Sequence, residues 1–587
     1  MTVRAEFPLR RIARWAAPAM FLGCLLTDQV LATAVAEVRA AIADTVGSPD
    51  LDRPVDLRQR QVREALYALY ARRNEAALWN KDGRPTPQAI ALRRELDAAD
   101  AHGLDPADYA AEAAPVAAGA PAGSPVWARH DVTLSAAALR FLLDLRDGRV
   151  DPVKAGFRLY AARPPLDLVA VLEKLSVTDD VDAAISAVEP QFYHYRLLEQ
   201  SLKQYRRLAL LQGALPRLPE APEHPVRVGE RYSGLPAVRA LLRLLGDLPA
   251  GEAASDPRTT LDQALAHAVK RFQSRHGLPV DGVIGRATFA ALVVPLTGRV
   301  RQIELTLERW RWLPPFETPP IIVNIPQFRL FAFRSTADLK ADILQMDVIV
   351  GRTYAGMQTP VFAADLRYVI FRPYWDVPRS IARRELLPAI RRNPLYLGKQ
   401  HMEIAGGSDD WPQPLPATPE NLAAIDAGRL RLRQQPGAGN PLGTIKFVLP
   451  NAYDVYLHAT PAQLLFRESR RAFSHGCIRV SDPAALALHA LRESPGDWTG
   501  ERVQRAMDGA STQRVDLARP IRVMILYGTA LATESGETLF FEDIYGHDRK
   551  LEALLRAASA RARGAPAPRM SFRESGSYQN RTGPLSR

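Results

Sequence analysis

The segment RAFSHGCIRV, Arg471–Val480, places a cysteine directly after a histidine and a glycine, at the start of a short apolar run. This residue, Cys477, is one of only two cysteines in the 587-residue chain, and the other is Cys24. A thiol in a chain that otherwise avoids thiols is either inert or a nucleophile, and its chemical surroundings decide between the two. The residues around this segment therefore carry most of the information about fold and function.

The N-terminus has the three-part pattern of a secretory signal peptide. Four arginines precede the apolar run WAAPAMFLGCLL, residues 15–26, and small-residue sites follow it, so we predict a signal peptide over residues 1–36. Twelve apolar residues are few for a membrane span. The alternatives to a cleaved signal peptide are an uncleaved anchor and a lipid modification of Cys24. Export with cleavage predicts a periplasmic protein whose remaining thiol is Cys477. That thiol then has no intramolecular partner, which favours a chemical role.

The composition is that of a folded multidomain protein, with 47% hydrophobic and 24% charged residues. The net charge of +12 is spread over the chain and its tails, and the sequence lacks helix-turn-helix, zinc-finger and RNA-binding signatures. Nucleic acid is therefore not an expected partner, whereas a polyanionic surface such as a cell wall is compatible with the charge. The sequence also lacks HExxH and any histidine–cysteine cluster, so we expect no metal and no other cofactor.

Residues 37–225 are predicted to form a helical scaffold domain, because apolar residues recur at three- and four-residue spacing. No ionisable residues are grouped there in a way that suggests chemistry, and Trp79 is expected in the core. Residues 299–319 are predicted to be a linker helix that returns to the scaffold. Residues 549–587 are predicted to hold the end of a C-terminal helix and a disordered tail.

Residues 226–298 are predicted to form a small module of three helices. Gly277 fits a helix C-cap, glycine turns follow it, and Thr288 is placed to cap the next helix. The module resembles the peptidoglycan-binding domain type 1 in Phe272-Gln273, His276-Gly277-Leu278, Asp281-Gly282, Ile284-Gly285, Thr288 and Ala291-Leu292. The resemblance implies binding of glycan strands through residues 236–296; a helical hairpin that serves only as a spacer is the alternative.

From about residue 320 the hydrophobic period changes to two, which is typical of strands. We predict a mainly β domain over 320–548, with strands within 321–333, 343–351, 366–377, 443–450, 452–459 and 521–532. Two helical segments, 380–394 and 418–428, interrupt this pattern, and the insertion at about 383–428 is predicted to form a lid. The fold class is therefore multidomain α+β: a helical scaffold, a three-helix module and a mainly β catalytic domain.

Two histidines are candidates for the base that activates Cys477. His475 precedes the thiol by two residues, and residues i and i+2 of a strand share a face, but parallel side chains on one strand suit proton transfer poorly. His458 lies in an earlier strand, and the loop between it and Cys477 is long enough to bring the two strands together. We therefore assign His458 as the general base and give His475 a supporting role.

The backbone beside the thiol offers donors for an oxyanion. The amides of Gly476 and Cys477 are the natural candidates, since glycine lets the backbone approach a substrate closely. Arg479 is expected on the face of the thiol, where its guanidinium can hold a substrate carboxylate by two contacts. The aromatic residues of PYWDVP are expected to line the cleft. The substrate-binding candidates are Arg479, Ser474, Tyr374 and Trp375.

His458 followed, after a gap, by Ser474-His475-Gly476-Cys477-Ile478-Arg479 resembles the active-site signature of the L,D-transpeptidase catalytic domain. The segments NIPQFRL, FRPYWDVPRSIA, LRQQPGAGNPLGTIKF and FEDIYG agree with that family. Together with the helical region and the peptidoglycan-binding module, the chain is similar to the large, multidomain Gram-negative type. The resemblance implies a β-sandwich-like catalytic domain in which a backbone carbonyl orients the histidine base.

The resemblance also implies a reaction. Cys477 would attack the third residue of a tetrapeptide stem, expel D-alanine and pass the acyl group to the amine of a second stem, which makes a 3→3 cross-link. The implied partners are peptidoglycan tetrapeptide stems, as donor and as acceptor. The alternatives are a carboxypeptidase, hydrolase or lipoprotein-anchoring enzyme that uses the same thioester, and a non-catalytic wall-binding scaffold. A scaffold would tolerate loss of Cys477 or His458, and both are present.

Overall fold

The computed structural model describes residues 36–47, 57–110, 114–117, 119–159, 163–249, 258–336, 343–393, 395–406 and 413–563. The chain divides into two compact units. Of the described residues, the first unit comprises those within 1–147, 164–189 and 559–566, and the second comprises those within 148–163 and 190–558. The predicted signal peptide and C-terminal tail lie outside the described residues, apart from residue 36 and residues 549–563. Within the described ranges, no helix combines the length and the apolar character that a membrane span requires.

The helices are α1 (36–46), α2 (Leu57–Arg72), α3 (Pro87–Asp97), α4 (Pro125–Asp147), α5 (Pro152–Ala155), α6 (Leu168–Leu175), α7 (Val181–Ser186), α8 (Tyr193–Gln212), α9 (Leu235–Leu244), α10 (Gln263–Arg275), α11 (Arg286–Leu292), α12 (Leu296–Trp310), α13 (Arg379–Ile381), α14 (Leu387–Arg392), α15 (Tyr396–Lys399), α16 (Pro419–Ala427), α17 (Pro483–Leu491), α18 (Gly500–Asp508) and α19 (His547–Ala562). Short 3₁₀ turns cover Ala99–His102, Pro106–Asp108 and Gln463–Arg467, and a π-helical turn covers Ala382–Leu386.

The strands are β1 (Asn80–Lys81), β2 (Arg84–Pro85), β3 (Phe157–Arg158), β4 (Ile321–Asn324), β5 (Arg329–Ala332), β6 (Leu344–Gly351), β7 (Val361–Phe371), β8 (Trp375–Asp376), β9 (Met402–Gly406), β10 (Gln413–Leu415), β11 (Arg431–Gln434), β12 (Ile445–Val448), β13 (Leu457–His458), β14 (Ala472–Ser474), β15 (Ile478–Val480), β16 (Gln513–Leu526), β17 (Ala530–Ala532) and β18 (Thr538–Phe540).

The first unit is a helical assembly around α4, most of whose side chains are buried. Its core contains a carboxylate, Asp131, which is fully buried and accepts hydrogen bonds from the amides of Leu78 and Trp79 at 2.8 and 2.7 Å and from the Tyr70 hydroxyl at 2.8 Å. A buried polar group is stable only when its hydrogen bonds are satisfied, and these donors meet that requirement. Trp79 is fully buried beside them, which confirms its predicted place in the core.

The three-helix module of the second unit consists of α9, α10 and α11 around an apolar cluster. Gln273, which is 1% exposed, organises the turn after α10, because its carbonyl accepts from the Gly282 amide and its NH₂ group donates to Asp281 and Thr288. Gly277 lies at φ +62°, the left-handed conformation predicted for a C-cap. The predicted capping role of Thr288 is wrong: α11 begins after Gly285, and Thr288 is buried inside the helix as an acceptor for Gln273.

The main sheet of the second unit runs β12-β13-β15-β6-β5-β4-β16-β7-β3, with β14 pairing with β6. The long strand β7 pairs with both β16 and β12, so the sheet closes on itself around a large apolar core. Strand β3, which comes from the predicted scaffold region, adds an edge to β7. Helix α17, capped by the Asp482 carboxylate, packs against this core directly after β15.

Several predicted strands are interrupted in the structure. The run 321–333 is a hairpin, β4 and β5, because the chain turns after Pro326 and Phe328 adopts φ +55°. The run 366–377 divides at Arg372, whose φ is +50°, into β7 and β8. Across Arg372 the alternation of apolar residues continues, so the period alone does not reveal that break, whereas between Ile325 and Phe328 the alternation shifts by one residue.

The predicted lid region is a small layer of its own. It holds helices α14, α15 and α16 and strands β9 and β10, which join the flanking strands in a four-stranded sheet of order β10-β9-β11-β8. Its apolar cluster includes Leu387, Ile404 and Ile425 and is separate from the core of the main sheet. The strands β8 and β11, which lead into and out of the insertion, pair directly with each other.

Candidate active site

Three adjacent strands place reactive side chains on one face of the main sheet. His458 of β13 lies opposite Arg479 of the parallel strand β15, and opposite Lys446 of the antiparallel strand β12. Tyr456 directly precedes β13, and its ring centroid lies 5.7 Å from that of His458. The amide of Ile478 donates to the Tyr456 carbonyl at 3.1 Å and so holds the start of β15 in register. We refer to Lys446, Tyr456, His458, Cys477 and Arg479 as the thiol cluster.

The thiol of Cys477 is partly exposed at the start of β15. Its Sγ lies 3.7 Å from the carbonyl oxygen of Asp454, and both the backbone and the side chain of Tyr456 form hydrogen bonds with it. Burial raises the pKa of the Cys477 thiol, while Tyr456 and the positive charge of Lys446 act in the opposite direction. The resting thiol is therefore neutral, and its attack on a carbonyl requires a base.

His458 is 4% exposed and has a fixed tautomer. Its Nδ1 lies 2.6 Å from the carbonyl oxygen of Ala459, and a carbonyl can only accept, so Nδ1 carries the proton and Nε2 keeps a lone pair. Burial lowers the pKa of His458 to about 3, with a further contribution from the charges of Arg479 and Lys446. The ring is therefore neutral and available as a base at neutral pH.

The described residues contain no hydrogen bond between the His458 ring and Sγ of Cys477. Cys477 lies directly before β15, the strand that pairs with β13, and Tyr456 contacts both side chains: it forms hydrogen bonds with the thiol, and its ring centroid is 5.7 Å from that of His458. Catalytic hydrogen bonds are often long before substrate binds and shorten in the complex. The arrangement thus places a neutral base near a neutral thiol. We expect the hydrogen bond between them to form when substrate binds.

His475 does not belong to this cluster. Its side chain is exposed, and its Nε2 lies 3.2 Å from Oε1 of Glu385 in the insertion. The expectation that His475 shares a face with Cys477 fails because β14 ends at Ser474 and Gly476 adopts φ +123°. The i to i+2 rule holds only inside a regular strand.

Ser474 and Gly476 shape the backbone beside the thiol. Ser474 is 3% exposed; its hydroxyl accepts from the Gly476 amide at 3.1 Å and donates to the Cys477 carbonyl at 2.6 Å. These bonds occupy Ser474, so we revise its assignment from substrate binding to support of the loop. They also occupy the Gly476 amide, which leaves the Cys477 amide, without a partner among the described residues, as the available oxyanion donor.

Arg479 is the substrate-binding candidate best placed by the structure. It lies beside the thiol on β15, and its buried Nε has no hydrogen-bond partner among the described residues. Trp375 forms a side-chain hydrogen bond with Tyr456 and so lies at the edge of the thiol cluster. Tyr374 is covered instead by Arg433 of β11, whose guanidinium carbon is 4.2 Å from the ring centroid. An unpaired guanidinium beside the thiol suits a carboxylate-bearing substrate.

Comparison with known proteins decides the family of this domain. Residues 319–499 match the family model described as "L,D-transpeptidase catalytic domain". The second unit carries an L,D-transpeptidase catalytic domain. Residues 233–292 match a "Putative peptidoglycan binding domain" and residues 64–202 match a "Scaffold domain". These matches confirm the predicted resemblance to the L,D-transpeptidase catalytic domain and to the peptidoglycan-binding domain. They also confirm the predicted multidomain fold class, with a helical scaffold, a helical module and a β-rich domain.

A curated relative supports the same family. A protein of Haemophilus influenzae named "Putative L,D-transpeptidase" is 31% identical over 251 residues, which cover 43% of this chain and 49% of that protein. The chain thus spans about half the length of the relative it matches. In this chain the residues that match the L,D-transpeptidase catalytic domain follow those that match the peptidoglycan-binding domain.

Two members of the thiol cluster, Lys446 and Tyr456, are not predicted from the sequence. Lys446 lies in the predicted strand 443–450, and its Nζ is 3.9 Å from the centroid of the Tyr456 ring. The alternation of that strand shows that Lys446 differs in face from Ile445 and Phe447, which are buried. The sequence does not show that this face meets His458, because the pairing of β12 with β13 sets that contact.

Proposed function

We propose that the protein is a cysteine-dependent L,D-transpeptidase that forms 3→3 cross-links between peptidoglycan stem peptides in the periplasm. The observation that carries the proposal is that His458 of β13 and Cys477, directly before the paired strand β15, both contact Tyr456, with the base in the tautomer that leaves Nε2 unprotonated. The match to the L,D-transpeptidase catalytic domain supplies the reaction class. The N-terminal sequence pattern supports the location.

The first half of the proposed reaction forms a thioester. A tetrapeptide stem binds with its carboxylate near Arg479, and Sγ of Cys477 attacks the carbonyl carbon of the third residue while Nε2 of His458 takes the thiol proton. The carbonyl oxygen becomes an oxyanion that the Cys477 amide stabilises. The intermediate collapses, the C–N bond breaks, and the departing D-alanine amine takes the proton from His458.

The second half returns the thiol. The side-chain amine of a second stem attacks the thioester carbonyl, His458 accepts the proton of that amine, and the C–S bond breaks as the new amide forms. The proton then passes from His458 to the sulfur, so the enzyme leaves the cycle unchanged. Water or a lipoprotein lysine at the same position would give a free tripeptide stem or an anchored lipoprotein instead.

The test is to incubate the purified protein with disaccharide tetrapeptide fragments of peptidoglycan and to analyse the products by mass spectrometry. The proposal predicts release of D-alanine and dimers whose fragmentation shows a bond between the third residues of both stems. Tripeptide monomers without dimers would identify a carboxypeptidase. Recovery of unchanged tetrapeptide, from a folded protein that binds the fragment, would overturn the enzymatic proposal in favour of a wall-binding scaffold.

Because the ring of His458 and the thiol of Cys477 are both neutral at rest, we expect the rate of acylation to depend little on pH. His458 stays unprotonated down to its pKa of about 3, and the raised pKa keeps the Cys477 thiol protonated, so the proton moves within the pair during attack. We expect the single-turnover rate of D-alanine release to vary less than about threefold between about pH 5 and pH 8. A rate that rises about tenfold per pH unit would indicate a preformed thiolate. A rate that falls as the pH is lowered through about 6.5 would show that the base has an ordinary histidine pKa.

The predicted lid has a testable effect on the fate of the thioester. Since β8 and β11 pair directly, a short Gly/Ser linker in place of residues 383–428 can connect the remaining ends without opening the main sheet. The thioester must be protected from water until an amine arrives. We expect this variant to react with iodoacetamide at Cys477 as the full chain does, but to yield mainly hydrolysed tripeptides. An unchanged ratio of dimer to tripeptide would show that the insertion does not cover the site.

A further inference from the structure

Residues 474–477, here called the nucleophile segment, are tied to the rest of the domain by the side chain of Thr359. Thr359 lies just before β7 and is 1% exposed. Its hydroxyl donates to the carbonyl of Gly476 at 2.8 Å and accepts from the amide of Gly351 at 2.8 Å. A carbonyl can only accept and an amide N–H can only donate, so the direction of both bonds is fixed and the hydroxyl has no proton for another partner.

Tyr545 closes the same network from a third segment. Its hydroxyl donates to the carbonyl of Gly351 at 2.6 Å and accepts from the amide of Thr359 at 3.2 Å. Burial raises the pKa of Tyr545 to about 12, so the phenol remains protonated and can donate. Its backbone amide in turn donates to the Tyr527 hydroxyl at 2.9 Å, and that hydroxyl donates to Asp543 at 2.6 Å. The network is therefore anchored in the loop that precedes α19.

The hydrogen bonds of Thr359 and Tyr545 leave the backbone at Gly351 and Gly476 little freedom to move. A Cβ at Gly351 would lie 2.1 Å from the carbonyl oxygen of Met357, so the end of β6 and the segment before Thr359 are in direct contact. The amide of Arg352 donates to the Ser474 carbonyl at 2.9 Å, which adds a second tie to the nucleophile segment. Gly476, at φ +123°, is thereby fixed on both sides.

The consequence concerns the amide of Cys477. In a trans peptide the C=O of one residue and the N–H of the next lie in one plane and point in opposite directions. Because Thr359 holds the Gly476 carbonyl towards the interior, it also sets the direction of the Cys477 N–H. That N–H is the amide next to the thiol that has no partner among the described residues.

We propose that Thr359 and Tyr545 are positioning residues that aim the Cys477 amide at the oxyanion of the acylation step. This inference rests on the proposed function, because it assumes attack on a carbonyl. Neither hydroxyl touches the reacting atoms; Thr359 acts through the Gly476 peptide, and Tyr545 acts through Thr359 and Gly351. An oxyanion donor contributes only when it points at the developing charge, so a rotated peptide loses that contribution while the thiol itself is retained.

The test compares Thr359→Val, which keeps the shape of the side chain and removes the hydroxyl, with Thr359→Ser, which keeps the hydroxyl. Two rates are measured for each: single-turnover release of D-alanine from a tetrapeptide donor, and alkylation of Cys477 by iodoacetamide. Alkylation at an sp³ carbon generates no oxyanion, so it reports thiol access and ionisation alone. We expect Thr359→Val to lower the acylation rate about 10–100-fold with little change in KM and less than about threefold change in alkylation. Thr359→Ser should stay within about fivefold of the unmodified protein in both rates.

Tyr545→Phe provides an independent variant in case Thr359→Val fails to fold, and it should lower acylation about 3–10-fold with unchanged alkylation. Acylation at the normal rate in the folded Thr359→Val or Tyr545→Phe protein would overturn the inference. Equal losses in acylation and alkylation would overturn it too, because they indicate general disruption of the segment. If the unmodified protein releases no D-alanine, the proposed function itself has failed, and that outcome is distinct from a failure confined to the variants.

Discussion

Replacing Cys477 with alanine is expected to abolish release of D-alanine, with a loss of at least ~10⁴-fold that reaches the background of the assay. The reason is that the described part of the chain offers no other thiol, and the variant loses the atom that forms the thioester. Single-turnover assays with a tetrapeptide donor measure this loss directly. Product formation by the alanine variant at a rate near that of the unmodified protein would end the covalent mechanism.

The control for this variant is its folded state. Cys477 is partly exposed, so removal of one sulfur atom creates no large cavity, and the free energy of unfolding should change by less than about 1 kcal/mol. Thermal unfolding and circular dichroism check this. Binding of the donor should persist, because the guanidinium of Arg479 is unaffected.

Replacing His458 with alanine is expected to slow acylation by ~10²–10⁴-fold, the range for a positioned general base. The structure supports this expectation because Nδ1 is held by the Ala459 carbonyl, so that only Nε2 can accept the thiol proton. The measurement is the same single-turnover release of D-alanine. Since the thiol of Cys477 keeps its other contacts, alkylation by iodoacetamide at high pH, where the thiol ionises without help, should be much less affected.

His475→Ala is the matched control for the base. His475 is exposed, and the contact that the structure gives its ring is with Glu385 of the insertion, so we expect an effect on acylation below about fivefold. A larger loss for His475→Ala than for His458→Ala would reverse the assignment of the two histidines.

The sequence was sufficient to name Cys477, His458 and Arg479 as one candidate site, because the loop between His458 and Cys477 is long enough to bring their segments together. The sequence was not sufficient to predict the backbone conformation of the nucleophile segment. Gly476 leaves the strand conformation at φ +123°, and no pattern of apolar residues reveals where a strand stops alternating. The expectation that His475 lies beside the thiol depended on a regular strand there, and β14 ends at Ser474.

The contacts that support the site come from residues far apart in the chain. Thr359 is 117 positions from Gly476, and Tyr545 is 186 positions from Thr359. Such contacts follow from the closure of the main sheet through β7, a pairing of several segments that local propensity does not encode. Lys446 was missed for the same reason, since its role beside Tyr456 and His458 depends on which strand pairs with β12.

The proposed mechanism requires Cys477 to carry the acyl group between donor and acceptor. The most direct measurement is the mass of the intact protein after brief mixing with a tetrapeptide donor in the absence of an acceptor, followed by peptide mapping. We expect an added mass equal to the donor minus D-alanine, located on the peptide that contains Cys477 and absent from Cys477→Ala. Release of D-alanine without any added mass, or an adduct on another residue, would contradict it.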